Sequence, residues 1–227
     1  MIAFVDGESQ PKKSLIKVAL AEGGEPKEIL SLDKEVGTLD WSPDGKHVLF
    51  TYTATPSTYA DAEEYLKARA GGISSILVEG QNVQTIVSGE RNGLAYFFSA
   101  WSPDGKRVAY GSFDYEEWVK GGRKEGGFNL WVKDMMTSES KMIMRGGDGY
   151  KACWSPDGKS LVFEKRVQGM EFELYKVPAE GGTPEKLNIK GRSPMFSPDG
   201  KKIAYTRRLG QGYEFWLVEN LLMAESK

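Results

Sequence analysis

Four short apolar runs recur at matching offsets along the chain: Val48-Leu49-Phe50, Val108-Ala109-Tyr110, Leu161-Val162-Phe163 and Ile203-Ala204-Tyr205. All are β-formers, and an unbroken apolar run of this length predicts a strand buried on both faces. A further run follows each of them, Ile76-Leu77-Val78, Leu130-Trp131-Val132, Leu174 to Val177 and Phe215 to Val218, again rich in aromatic and branched residues. Polar hairpins come next. Ala21-Glu22-Gly23-Gly24-Glu25-Pro26 and Ala179-Glu180-Gly181-Gly182-Thr183-Pro184 are near copies, leading into Glu28-Ile29-Leu30 and Glu185-Lys186-Leu187. Each hairpin thus adds one more short strand.

A single motif precedes every one of the first runs. Trp41-Ser42-Pro43-Asp44-Gly45-Lys46 returns as Trp101-Ser102-Pro103-Asp104-Gly105-Lys106, as Trp154-Ser155-Pro156-Asp157-Gly158-Lys159 and as Phe196-Ser197-Pro198-Asp199-Gly200-Lys201. Proline presets φ at the second turn position, aspartate bonds nearby backbone amides, and glycine supplies the left-handed residue that closes the turn. The motif is a hairpin turn, and it makes the repeat a unit of four antiparallel strands.

Four strands per repeat predict an all-β fold, a β-propeller of four-stranded antiparallel blades over residues 1–227. The aromatic positions stand 60, 53 and 42 residues apart, at or above the ~40 to 50 residues of propeller repeats. Blade 1, partial, covers 1–35, blade 2 covers 36–90, blade 3 91–146, blade 4 147–190 and blade 5, also partial, 191–227. Met1-Ile2-Ala3-Phe4 aligns with Lys202-Ile203-Ala204-Tyr205, so the first blade lacks its innermost strand; Glu219 to Lys227 is too polar to make a convincing outer strand for the last. Eighteen strands do not close a ring neatly, and part of a larger propeller is the expectation. The excess length is loop: Ala60 to Arg69 is made of helix formers ended by Gly71-Gly72 and predicts a short surface helix, and Asp114 to Gly127 is the equivalent loop of the next blade.

Charge alters this picture little. Thirty basic and 32 acidic residues leave a net charge of −2 with no block of one sign, which argues against a nucleic-acid partner and a polybasic membrane patch. No apolar run reaches the roughly 18 residues of a membrane helix, and the N-terminus carries no signal-like core. The one cysteine, Cys153, lies inside an apolar repeat position and reads as a buried thiol.

Candidate chemistry is sparse. The one histidine, His47, stands alone between a turn lysine and a buried strand, whereas acid–base and metal work gathers several groups. The Gly-x-Ser-x-Gly nucleophile elbow is absent. Asp44, Asp104, Asp157 and Asp199 occupy the same turn position of separate blades and do not converge, and Trp41, Trp101, Trp154 and Phe196 read as core at blade contacts. No catalytic residue, cofactor or metal site is expected. The irregular loops are the remaining candidate. Tyr115, Trp118, Arg91, Asn92, Asp148, Tyr150, Arg166, Arg192 and Arg207 fall in second-to-third-strand loops or between blades, on the end opposite the turns, where exposed aromatics and arginines suit a protein or peptide partner. Their alternative reading is a solvated rim with no ligand.

The aromatic-Ser-Pro-Asp-Gly-Lys turn followed by an Ile/Val-Ala-Tyr/Phe strand resembles the repeat of the TolB-like propellers, and equally that of the N-terminal propellers of prolyl-oligopeptidase-type peptidases. The first resemblance implies a non-catalytic protein-binding scaffold of the bacterial envelope, periplasmic or extracellular, without insertion into a membrane. The second implies an accessory propeller whose catalytic domain lies outside these residues. A His-rich metal site, as in propeller-fold polysaccharide lyases, is excluded by the histidine count, and a propeller enzyme acting on sugars is the third and least favoured alternative.

Overall fold

The computed structural model describes residues 1–9, 12–54, 71–88, 94–121, 127–146, 151–169, 171–197, 199–210 and 212–219. The expected helix at Ala60 to Arg69 lies outside them. Among the described residues eighteen strands form five antiparallel sheets, each ordered as the strands follow one another in the chain. Blade 1 has three strands, β1 (Ile2–Ser9), β2 (Lys12–Ala19) and β3 (Lys27–Leu32). Blade 2 has β4 (Lys34–Trp41), β5 (His47–Ala54), β6 (Gly71–Leu77) and β7 (Gln84–Ser88). Blade 3 has β8 (Leu94–Trp101), β9 (Arg107–Asp114), β10 (Phe128–Asp134) and β11 (Ser140–Arg145). Blade 4 has β12 (Ala152–Trp154), β13 (Ser160–Gln168), β14 (Glu171–Pro178) and β15 (Glu185–Lys190). Blade 5 has β16 (Arg192–Phe196), β17 (Lys202–Leu209) and β18 (Gly212–Glu219). The radial all-β architecture is the one the repeat implies, with the inner strand missing from the first sheet and no outer strand in the last among the described residues.

Each turn is wired identically. The amide of Gly45 donates to the Ser42 carbonyl at 2.8 Å, as do Gly105 to Ser102, Gly158 to Ser155 and Gly200 to Ser197, and these four glycines have φ between 67° and 71°. The serine contributes more than its place in the motif suggested. Ser42 Oγ donates to Asp44 Oδ1 at 2.6 Å and accepts from the His47 amide at 2.9 Å, while Asp44 Oδ1 also accepts from the Lys46 amide at 3.0 Å. These bonds hold the four turn aspartates below the usual carboxylate range, since they favour the ionised form. The aspartates are therefore committed to the turn.

The core lies between blades rather than within one sheet. On the second strand of a blade the flanking residues of the apolar triplet face the preceding blade and the middle one faces the next. Val48 and Phe50 pack with Ile16, Val18 and Ile29 of blade 1, whereas Leu49 joins Tyr96, Val108 and Tyr110 of blade 3. Leu161 and Phe163 meet Phe98, Ala109 and Leu130, whereas Val162 meets Ile203 and Tyr205. The motif aromatics sit in these junctions as anticipated: Trp154 is buried, and Trp41, Trp101 and Phe196 are partly buried against them. Blade 5 breaks the pattern on its far side, where Ala204 is exposed and Phe215, at 89%, has its ring almost wholly uncovered.

Candidate functional site

The two ends of the propeller differ in kind. The third-to-fourth-strand hairpins are bonded onto the Ser-Pro-Asp-Gly turns, through Val78 to Lys46, Met135 to Lys106 and Ala179 to Lys159, so both sets share one end. The second-to-third-strand hairpins and the links between blades therefore lie at the other end. There, blade 3 carries the helix α1 (Tyr115–Lys120), where the sequence predicts a loop. Asp114 caps it by accepting from the Glu117 amide at 2.9 Å, Glu116 and Glu117 occupy the first turn and Lys120 the last, all favourable to a helix dipole.

This helix changes the role of Trp118. Rather than standing free, it is half-buried, its ring 5.8 Å from that of Phe113, and together with Phe97 and Phe128 it roofs the buried pair Ala95 and Phe113. Glu117 is tied to Arg145 at 2.8 Å. Trp118 is a packing residue, and Tyr115 stands at the first position of the same helix. Arg91, Asn92, Asp148 and Tyr150 lie outside the described residues.

Arg166, Arg192 and Arg207 come together instead, though at strand ends and not in loops: on β13, β16 and β17. Between blades 4 and 5, Arg192 and Arg207 line a cleft of about 270 Å³ together with Glu171, Phe172, Lys190, Gly191, Arg208 and Gly210, and Arg166 lies 5.8 Å from the Phe172 ring. Its foundation is Glu164, 2% exposed, which follows the buried triplet on β13. Glu164 Oε1 accepts from Arg192 Nη2 at 3.2 Å and Oε2 from the Ser193 amide at 2.6 Å. Ser193 has φ of 53°, a left-handed conformation that a non-glycine residue holds at a cost of about 1 kcal/mol and that brings its amide to the carboxylate. The Arg192 guanidinium also stacks 3.9 Å from the centre of the buried Phe172 ring. Gly191 donates to the Phe172 carbonyl at 2.9 Å, and a Cβ at this position would run into the Tyr205 ring. Arg192 is thus fixed by an ion pair, an aromatic face and its flanking backbone.

The charges around the cleft do not cancel. Lys190 pairs with Glu171 at 3.2 Å and Arg192 with Glu164. Arg207, 5.7 Å from the Trp216 ring, and Arg208, whose Nε donates to the Gly210 carbonyl, have no carboxylate within ion-pair distance among the described residues. A larger cleft, about 660 Å³, opens at the turn end between Arg107, Asp134, Glu139, Lys141 and Glu180. Its cations are already engaged: Arg107 donates to the Gly158 carbonyl at 2.7 Å, lies 4.7 Å from the Trp154 ring centre, and shares Glu180 with Lys141. Size favours that cleft, but free charge and preorganisation favour the smaller one.

Sequence reasoning missed Glu164, Phe172 and Arg208. A signal for Glu164 was available, because the repeat places Thr51, Gly111 and Thr206 at its position and only blade 4 has a carboxylate there. Among the described residues, no group of three or more histidine, cysteine, aspartate or glutamate side chains is placed to hold a metal ion. Cys153 is partly buried between blades 4 and 5, and desolvation pushes its thiol up to about 12, which disfavours the reactive thiolate at neutral pH. No described helix is long and apolar enough to cross a membrane.

No protein-family profile matches the chain. In sequence it is 32% identical over 116 residues to an uncharacterized peptidase, YuxL, of Bacillus subtilis, a match covering 49% of this chain and 17% of that protein. In structure it superposes on TolB from Acinetobacter baumannii with a TM-score of 0.71 at 22% identity, covering 92% of this chain and 47% of that one. The β-propeller domain of the Trilobed protease from Pyrococcus furiosus gives a TM-score of 0.52 at 15% identity, covering 82% of this chain and 55% of that domain. The chain therefore spans about half of each of these solved structures and a smaller share of the peptidase. Its fold is the β-propeller common to TolB and to the propeller domains of peptidases.

Proposed function

We propose that the chain is a non-catalytic scaffold of the bacterial envelope that binds a protein or peptide partner at its loop-bearing end. The observation that carries this reading is the junction between blades 4 and 5, where the apolar repeat gives way to a preorganised arginine beside two that have no carboxylate partner among the described residues. Loops and strand ends on a rigid scaffold are where recognition concentrates, and arginine backed by an aromatic face is a frequent anchor of interfaces. Site-specific photocrosslinking tests it: a photoreactive residue at Val167, exposed at the loop end, should give a discrete adduct in an envelope extract, and one at Met136, exposed at the turn end, should not. Adducts from Met136 alone, or from neither, would contradict the reading.

A second reading is favoured by the identity to the Bacillus subtilis peptidase: an accessory propeller whose partner is a catalytic domain of the same polypeptide. Sequencing the complete reading frame separates the two, because a Gly-x-Ser-x-Gly segment downstream of residue 227 supports the accessory role.

A further inference from the structure

Building on the loop-end reading, we infer that the cleft between blades 4 and 5 binds the carboxylate side chains of an extended acidic peptide segment. Four cations line it, Lys190, Arg192, Arg207 and Arg208. Glu171 on the wall and Glu164 beneath balance two of them, so among the described residues two positive charges remain, on a chain whose net charge is −2. The basic corner therefore runs against the molecule's own charge balance and is not part of a general basic coating.

The geometry suits a carboxylate in particular. Glu164 uses one terminal nitrogen of Arg192 and holds the planar fork against Phe172, while the Arg192 side chain, lining the cleft, stays 34% exposed. A guanidinium fixed in this way, with part of it still open to the cleft, is arranged for a second carboxylate, and charge-assisted bonds to it need no further ordering of the side chain. Phe172 offers an apolar floor for the methylenes of an aspartate or glutamate. A nucleic-acid strand would instead need a stripe of cations tracking several phosphates, and a cleft of about 270 Å³ accommodates only one or two side chains.

The test is fluorescence anisotropy at low ionic strength with labelled hexaglutamate, hexalysine and a six-residue oligothymidylate, on the whole chain. Saturable binding of hexaglutamate alone is expected. Arg192→Gln should weaken it roughly tenfold or more, the usual loss for a charge-assisted bond. Because that change also leaves Glu164 buried without its cation, the exposed pair Arg207→Gln/Arg208→Gln is the second variant: the same loss is expected with the melting temperature unchanged. Lys46→Gln/Lys106→Gln at the turn end should bind as the parent does. Absence of saturable binding, equal binding of oligothymidylate, or full affinity in the Arg207/Arg208 pair would overturn the inference. Those results with the Val167 adduct still forming would remove the acidic class alone, whereas loss of the adduct as well would remove the loop-end reading with it.

Discussion

The junction between blades 3 and 4 and the junction between blades 4 and 5 are built on the same repeat and end differently. In the first, Ala109 points from blade 3 into a cluster of Trp154, Leu161 and Phe163, and the next forward-facing position is Gly111, whose missing side chain is replaced by the Phe98 ring. That junction is apolar along the strand. In the second, Val162 makes the same apolar start, but the next position is Glu164, and the loop end becomes an ion pair beside Arg207 and Arg208, which have no carboxylate within ion-pair distance among the described residues. Replacing a packed apolar contact by a buried ion pair gains little stability, since desolvation offsets the attraction. Folding stability alone does not account for the departure, and among the described residues Glu164 is the carboxylate that the repeat brings to this position.

The largest expected effect breaks the apolar side of this contrast. Phe163→Ala should cost about 3–5 kcal/mol in urea unfolding, through lost burial and a cavity that rigid neighbouring sheets cannot close. Next comes a carboxylate without a cation. Asp40 accepts from the Trp101 amide of the following blade at 2.7 Å, and burial pushes it up to about 6. Its folded value lies above the 3.8 of the unfolded chain, so its contribution is fully present below about pH 4 and is lost as pH rises through 6. Asp40→Asn, which keeps the acceptor and removes the charge, should flatten that part of the pH–stability curve and raise stability at neutral pH by up to about 3 kcal/mol.

At the other junction Glu164→Ala should cost about 2 kcal/mol by stranding Arg192 and the Ser193 amide, and Glu164→Leu/Arg192→Met should recover most of that loss. A double variant as unstable as the single one would mean that the pair serves folding, not recognition. The smallest effect is expected from Arg207→Gln/Arg208→Gln, under about 0.5 kcal/mol in the same denaturation experiment, as for most exposed substitutions.

Sequence alone carried the scaffold because its signals are local and repeated. The turn needs proline, aspartate and a left-handed glycine at fixed places, and the buried triplets need no partner to be recognised. The candidate site was only half legible. Arg166, Arg192 and Arg207 are placed at the end opposite the turns by their position in the repeat, yet their convergence depends on Glu164 and Phe172, neighbours distant in sequence and brought together by the contact between two sheets. Trp118 was misjudged as a free aromatic for the same reason: its partner Phe113 precedes it in a strand, and the short helix that lays one ring on the other arises from a capping aspartate within a charged loop.

The most direct measurement is amide chemical-shift mapping of the chain titrated with hexaglutamate. If recognition resides where the repeat is broken, the shifts gather at Phe172, Gly191, Arg192, Ser193 and Gly210. Shifts gathered instead at Ser42 to His47, Ser102 to Arg107 and Ser155 to Ser160 would place recognition on the repeated turns and contradict the assignment.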